Sequence, residues 1–438
     1  MIETFAPGLL VAAPRSGSGK TTVTLGLQRA LRRRGLRVRG AKSGPDYIDP
    51  AFHAAATGEI SLNLDSFAMD DRLLHALALR SATGADLVIA EGSMGLYDGI
   101  EGEIGRTGAS ADVAARFGWP VLLVLDVSGQ AQSAAAIALG CARYDPRITI
   151  MGVVLNQVAS ERHRRLVTDG MDRIGLPVLG ALPRDSSIAL PERHLGLVQA
   201  GETADLERRL DDLADRIEKA IDLDRVVAMA HTTMEPATGP CPALAPPGQR
   251  IALARDEAFS FVYPHILQGW REAGAEIVPF SPMADEAPPV DCDACWLPGG
   301  YPELHAGRLA ASHRFLEGLR AFGAHYPVHA ECGGYMVLGH SIEDGSGAHH
   351  MMAGLLPVAT SYAKRKLHLG YRVATPRDDG PLGKKGARLV GHEFHYASIV
   401  SQDVSNFADV TDATGVSLGV AGHRNGQVTG TFFHVLAG

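Results

Sequence analysis

The opening of the chain reads as strand, loop and helix, and this constrains the fold more than any other feature. An apolar run, GLLVAA at Gly8 to Ala13, feeds PRSGSGKTT at Pro14 to Thr22, and a helical pattern of Val23, Leu25, Leu27 and Leu31 follows. Glycines in such a loop let successive backbone N–H groups turn toward phosphate, and the helix N-terminus adds partial positive charge. Ser16, Gly17, Gly19, Lys20, Thr21 and Thr22 are therefore candidate ATP contacts, with Lys20 reaching the outer phosphates and Thr21 holding Mg²⁺. The ordinary spacing has Gly where Pro14 stands; Ala13 and Gly19 instead frame a loop one residue longer, which marks a subclass. A chance lysine in a Gly/Ser turn would not come with these flanks.

Downstream, short apolar runs alternate with helical patterns: LRVRGAK, DLVIAEG, VLLVLDVSG, ITIMGVVLNQ and PVLGALP. This is the pattern of an α/β P-loop domain with a mainly parallel sheet, in which ligands sit past the carboxyl ends of the strands. Glu91, Asp126 and Asn156 fall at such ends. Glu91 is a candidate Mg²⁺ ligand, and Asn156 suits a base edge. The segment AKSGPDYIDPAFH presents Lys42, Asp46, Tyr47, Asp49 and His53 where two prolines and a glycine forbid a regular helix. Such a loop would face the terminal phosphate, with Asp46 or Asp49 joining the metal shell and Lys42 neutralising charge. The alternative is a turn whose Asp side chains bond their own backbone.

A chain of 438 residues, 46% hydrophobic and 21% charged, can bury more than one core, and its length suits about two to four domains. Leu206, Leu210, Leu213, Ile217 and Ile221 predict an amphipathic helix, after which TTMEPATGPCPALAPPGQR reads as linker. The expected division is a nucleotide domain over 1–222, a linker over 223–248 and a second α/β domain over 249–438. No apolar stretch reaches transmembrane length, and MIETFAPG lacks the features of a secretory signal, so a cytoplasmic protein is expected. Five cysteines suit a reducing compartment. Cys292 and Cys295 form a lone CxxC without a second ligand pair, which reads as two buried thiols. A net charge of −8 disfavours nucleic acid as a partner.

In the second half, the apolar strand before Cys332 and the helical pattern after Gly333 and Gly334 form a turn that exposes a side chain at a sheet edge. A thiolate attacks carbonyls far better than a thiol and gains from a nearby histidine; His434, in GTFFHVLAG, is the best partner. GGYPE at Gly299 to Glu303 offers a glycine loop whose amides, with that of Gly333, suit an oxyanion hole formed by Gly299, Gly300 and Gly333. The alternative is a buried core thiol and a histidine of the tail.

PRSGSGKTT, KSGPDYIDPAFH, NLDSF at Asn63 to Phe67, AEGSMGLYDG at Ala90 to Gly99 and LPERHLGLV at Leu190 to Val198 resemble the corrin a,c-diamide synthases of vitamin B12 biosynthesis. Their N-terminal domain is similar to dethiobiotin synthetase. From about residue 249 onward the chain resembles a class I glutamine amidotransferase of the cobyrinate type. The resemblance implies Mg²⁺ or substrate contacts for Asp46, Tyr47, Asp49, Glu91 and Asp98, and a substrate-facing LPERHLGLV. It implies that ATP activates the a and c acetates of a corrin polycarboxylate as acyl phosphates, while Cys332 frees ammonia from glutamine. Hydrogenobyrinic acid is the favoured corrin; cobyrinic acid and nickel-sirohydrochlorin are the alternatives. A regulatory P-loop ATPase, the competitor from another class, carries a signature Lys where this chain has Arg15 and would leave Cys332 and GGYPE without work. Neither nucleic acid nor membrane is an expected partner, and a homodimer stays open. Ordinary class I enzymes place a Glu two residues after the catalytic His; here that position is Leu436, and Glu393 in HEFHY is one candidate to orient His434.

Overall fold

The apolar runs of the first half assemble as a parallel sheet. A computed structural model describes residues 5–185, 192–193, 196–197, 199–203, 205–236 and 244–438. It divides the chain into two units, Met1–Cys241 and Pro242–Gly438. In the first, the elements begin with β1 (Gly8–Ala12), α1 (Lys20–Arg33), β2 (Val38–Ser43), α2 (Asp49–Thr57), β3 (Leu62–Leu64) and α3 (Asp71–Ala82). They continue with β4 (Leu87–Glu91), α4 (Ser110–Phe117), β5 (Val121–Asp126), α5 (Ser133–Tyr144), β6 (Ile150–Val158), α6 (Glu161–Arg173) and β7 (Val178–Pro183). A two-residue pair, β8 (Glu192–Arg193) and β9 (Gly196–Leu197), precedes α7 (Leu206–Ala220) and α8 (Leu223–Met229).

The sheet order is β3-β2-β4-β1-β5-β6-β7, with every pair parallel. Parallel strands covered on both faces read as continuous apolar runs, and β1 and β4 are buried at every residue. The chain leaves β1 toward β4 and β2 on one side and later fills β5 to β7 on the other. The crevice at this reversal lies beyond the carboxyl end of β1, where the phosphate loop begins.

Leu210, Leu213 and Ile217 of α7 are buried as the periodicity predicts, and Ala214 and Ile217 share a core with Val23, Leu27 and Leu31 of α1. The segment expected as linker from 223 begins as α8, with Leu223 and Val226 in that core, and His231 bridges back to Gly8. Seven helical residues are too few for periodicity to reveal, so composition alone marked the boundary too early. Most of LPERHLGLV lies outside the described residues. Among the described residues, no helix is long and apolar enough to cross a membrane.

The second unit opens with β10 (Arg250–Ala254), α9 (Pro264–Glu272), β11 (Glu276–Phe280), β12 (Ala294–Leu297), α10 (Ala306–Ala311), α11 (His313–Gly323), β13 (Val328–Glu331) and α12 (Gly333–Leu338). Strands then dominate: β14 (Ser341–Glu343), β15 (His349–Met351), β16 (Val358–Ser361), β17 (His368–Pro376), β18 (Leu389–His395) and β19 (Ser398–Gln402). β20 (Ala408–Asp412), β21 (Ser417–Ala421), β22 (His423–Asn425), β23 (Val428–Thr431) and β24 (Phe433–Ala437) complete it. The central sheet, β11-β10-β12-β13-β23-β22, is parallel except at β22. Two further sheets, β15-β14-β16-β19 and β21-β20-β17-β18-β24, are built mostly from antiparallel pairs. This strand-rich half goes beyond the α/β pattern of the sequence, because its half-exposed strands carry no long apolar run. Cys292 and Cys295 are buried free thiols in the core.

Helix α1 packs on α7 at Gly26, where an added methyl group would collide with Ile217 and come within 3.3 Å of the Leu213 carbonyl. Gly26→Ala should therefore lower stability by about 1–3 kcal/mol through overpacking. Ile217→Ala should cost about 2–5 kcal/mol through a cavity. Urea unfolding of the double variant should show a loss smaller than the sum; strict additivity would refute the contact.

Candidate active sites

The phosphate loop turns into α1 at Gly19, whose left-handed φ of 92° suits glycine and whose Cα lies against the Asn156 amide. Asn156 Nδ2 donates to the Ser18 carbonyl at 2.9 Å, so this residue from the end of β6 braces the loop itself. Lys20 is largely buried, and its ammonium donates to the Met94 carbonyl at 2.6 Å. Burial, followed by the charge of Lys42, pulls its pKa below the ordinary lysine value. Arg15 pairs with Asp126 at 2.7 Å across the loop mouth.

Glu91, at the end of β4, is fully buried and joins the loop to its neighbours. Its Oε1 accepts from the Thr21 hydroxyl at 2.6 Å and lies 3.2 Å from Lys42 Nζ, while Oε2 meets His53 Nε2 at 2.8 Å. Burial would raise the Glu91 pKa, but Lys42, His53 and Thr21 outweigh it and hold it at about 2. Lys42 also pairs with Asp49 at 2.5 Å. Burial opposes its charge, yet Asp49, Glu91 and Asp46 hold its pKa above the ordinary lysine range. Asp49 in turn is pushed up by burial and by Asp46, against the pull of Lys42.

Mg²⁺ takes hard oxygens in octahedral geometry and usually uses one or two carboxylates plus substrate phosphates and water. Thr21 and Glu91 place a hydroxyl and a carboxylate side by side, which fits that demand. Among the described residues no group of three or more His, Cys, Asp or Glu could hold a metal ion, so phosphate and water would supply the remaining positions. Asp46, expected in the metal shell, has another duty: its Oδ1 accepts from the Ile48 and Asp49 amides at 2.7 and 3.0 Å. A short side chain after Gly-Pro reaches its own backbone first, the turn chemistry open from the sequence. Tyr47 is buried beside it. Asp98 accepts from the Gly95 amide at 2.8 Å, and its charge acts on Lys20. His53 belongs to this cluster more firmly than its place in the sequence suggested. The expectation of no regular helix here is corrected, because Pro50 is tolerated in the first turn of α2, and His53, four residues after Asp49 on that helix, returns its ring to the mouth of the sheet.

The basic run RALRRRGLRVRG is spent on surface pairs: Arg29 with Glu207 and Asp211, Arg33 with Asp215, Arg34 with Asp224, Arg37 with Asp86.

In the second unit, Cys332 sits between β13 and α12 with φ 45° and ψ −106°, a conformation that side chains rarely adopt. Its amide donates to the Thr431 carbonyl at 2.7 Å, pinning the turn to β23. A methyl group on Gly299 would collide with His434 Cε1 and lie 3.2 Å from Nε2 and 3.3 Å from Cys332 Cβ. The bare backbone of Gly299 thus lets the imidazole and the thiol share one point. One placed on Gly333 would lie 3.0 Å from the Gly300 nitrogen, so the three glycines of the expected oxyanion hole crowd around Cys332. Burial, then the Glu303 carboxylate, push the Cys332 thiol well above its usual range, although the Gly333 amide bonds to it. A thiol so placed depends on a base.

Glu393 is engaged elsewhere: its Oε2 accepts from Arg372 at 2.6 Å and its Oε1 lies 3.1 Å from His395 Nε2. Closer to His434 is Glu331, unnoticed in the sequence although it adjoins Cys332; its Oε2 is 3.6 Å from His434 Nδ1. Strand alternation hides it, since neighbours along a strand point to opposite faces until the turn at Cys332 breaks the pattern.

The first unit matches the family model of the CobQ/CobB/MinD/ParA nucleotide binding domain over residues 9–198. The second matches the CobB/CobQ-like glutamine amidotransferase domain over residues 250–438. Hydrogenobyrinate a,c-diamide synthase of Mesorhizobium japonicum is 59% identical over 433 residues, covering 99% of each chain. The enzyme of the same name from Agrobacterium fabrum is 56% identical over 433 residues and 99% of each chain. That of Rhodobacter capsulatus is 59% identical, over 98% of this chain and 99% of its own. With both domains matched in order and this similarity along nearly all of its length, the chain belongs to the hydrogenobyrinate a,c-diamide synthase family.

Proposed function

We propose that this enzyme amidates the a and c acetate carboxylates of hydrogenobyrinic acid, using ATP to activate each carboxylate and glutamine as the nitrogen source. The observation that carries the reading is 59% identity to a hydrogenobyrinate a,c-diamide synthase along 99% of both chains. The geometry of each unit supports its half of the chemistry.

A carboxylate is a poor electrophile. Transfer of the γ-phosphoryl group of ATP to its oxygen releases ADP and leaves an acyl phosphate, which ammonia displaces to give the amide and phosphate. In the first unit the loop amides cradle the phosphates, and Lys20 exchanges the Met94 carbonyl for phosphate oxygens. Thr21 and Glu91 would hold Mg²⁺, which neutralises phosphate charge. Lys42, kept charged by its carboxylate neighbours, stands ready to stabilise the moving phosphoryl group. Asp46 shapes this loop by accepting from the Ile48 and Asp49 amides at the entry to α2, with Tyr47, Asp49 and Asp98 as further candidate groups of the site.

In the second unit Cys332 Sγ attacks the side-chain amide carbon of glutamine while His434 takes the thiol proton and returns it to the departing nitrogen. Ammonia leaves, and water hydrolyses the glutamyl thioester to glutamate. The amides near Gly299, Gly300 and Gly333 stabilise the oxyanion of each step.

Cys332→Ala should lower glutamine-driven amidation at least about 10³-fold while ammonia-driven amidation persists. Loss of both in a folded protein would sink the division of labour. Lys20→Ala should reduce amidation with either nitrogen source by about 10²–10³-fold and spare glutaminase activity; surviving ammonia-driven amidation would exclude the ATP assignment. Mass spectrometry of products from hydrogenobyrinic and cobyrinic acids, with ATP, Mg²⁺ and glutamine, tests the corrin. The diamide should form from the metal-free acid, and its formation from cobyrinic acid alone would overturn the substrate.

A further inference from the structure

Glu331 joins the strand of the nucleophile to the strand of the base. It is the last residue of β13, immediately before Cys332, and is almost fully buried. Its Oε1 accepts from the Val435 amide at 2.9 Å, next to His434 in β24, and its Oε2 lies 3.6 Å from His434 Nδ1. Cε1 and Nε2 of the ring face Gly299, whose backbone also adjoins Cys332. A carboxylate on Nδ1 leaves Nε2 for the thiol, the arrangement a general base needs.

Position 436, two residues after His434, falls on the same face of β24 as the histidine, and a buried Leu436 occupies it. Glu393 has both oxygens on Arg372 and His395. His392, opposite His434 in the register of β18 and β24, is held neutral by burial at a pKa of about 3 and brings no negative charge.

We propose that Glu331 is the positioning acid of the glutamine half-reaction: it fixes the His434 tautomer through Nδ1 and balances the imidazolium formed when the Cys332 proton moves to Nε2. This rests on the amidotransferase reading above. The carboxylate neither receives the proton nor touches glutamine. Separation at 3.6 Å shortens to a hydrogen bond as positive charge develops on the ring, since catalytic contacts tighten from the resting state. The benefit is greatest in a buried site, where an uncompensated imidazolium is costly. Placing the acid one residue before the nucleophile also couples the two groups through one strand end, so the turn that presents Cys332 sets the histidine.

The test uses the full chain and reads glutaminase activity, glutamine-driven amidation and ammonia-driven amidation. Glu331→Gln should lower glutaminase kcat by about 10²-fold, leave the glutamine KM within about twofold and preserve ammonia-driven amidation. In a His434→Ala background the same change should cost less than about threefold, because the residue it acts through is gone. Wild-type kcat in Glu331→Gln, a full additive loss in the His434→Ala background, or the loss appearing in Glu393→Gln instead would each overturn the proposal. Should Glu331→Gln fail to fold, Glu331→Asp keeps the charge but shortens its reach. A glutaminase loss confined to kcat is then expected, and undiminished activity overturns the idea. Cys332→Ala separates the layers: glutaminase surviving it defeats the amidotransferase reading, whereas its loss there with unchanged Glu331→Gln defeats only this inference.

Discussion

Burial of charge at the carboxyl ends of parallel strands is the constraint on which the rest depends. Glu91 has no exposed surface, and Thr21, Lys42 and His53 meet its oxygens. Lys42 is shared in turn with Asp49. Removing one partner from such a buried pair typically costs about 3–5 kcal/mol, because a charge is left without compensation. The phosphate loop, the strand β4 and the GPDYIDP turn are thereby bound to one geometry. An arrangement stable only when all its members are present is also preorganised for a charged ligand, since little has to move when phosphate arrives.

The second unit meets the same constraint with a thiol in place of a carboxylate. Burial favours the protonated Cys332 thiol, and the backbone holds it in an uncommon conformation through the Thr431 carbonyl. Such local strain costs about 1–3 kcal/mol and persists only where the surroundings over-determine it. Here β12, β13 and β23 supply the framework, and Gly299 supplies the missing volume. Strand ends hold Cys332 and His434, and Gly299 leaves room for their approach.

Much of the candidate site's layout was legible because it depends on residue type and short spacing. Gly19, Lys20 and Thr21 are adjacent, so their joint role follows from local geometry. Cys332 and the glycines after it are likewise contiguous. Glu91 was legible as a polar residue ending an apolar run. Less legible was what each polar group does with its second oxygen or nitrogen. Asp46 binds amides of its own loop, Asn156 braces the phosphate loop and Glu393 binds Arg372. These choices depend on partners brought from 2 to 138 residues away. α8 and the antiparallel half of the second unit were missed because short or half-exposed elements carry weak periodicity.

The sequence by itself determined the two chemistries, the parallel sheet of the first unit and the nucleophile turn of the second, because each is encoded in a contiguous stretch of strand, glycine and helix. Only the tertiary structure decided that Glu331 stands at His434. That pairing crosses 103 positions of sequence and arises from a strand end meeting another strand in a buried sheet, where distance along the chain carries no information about distance in space.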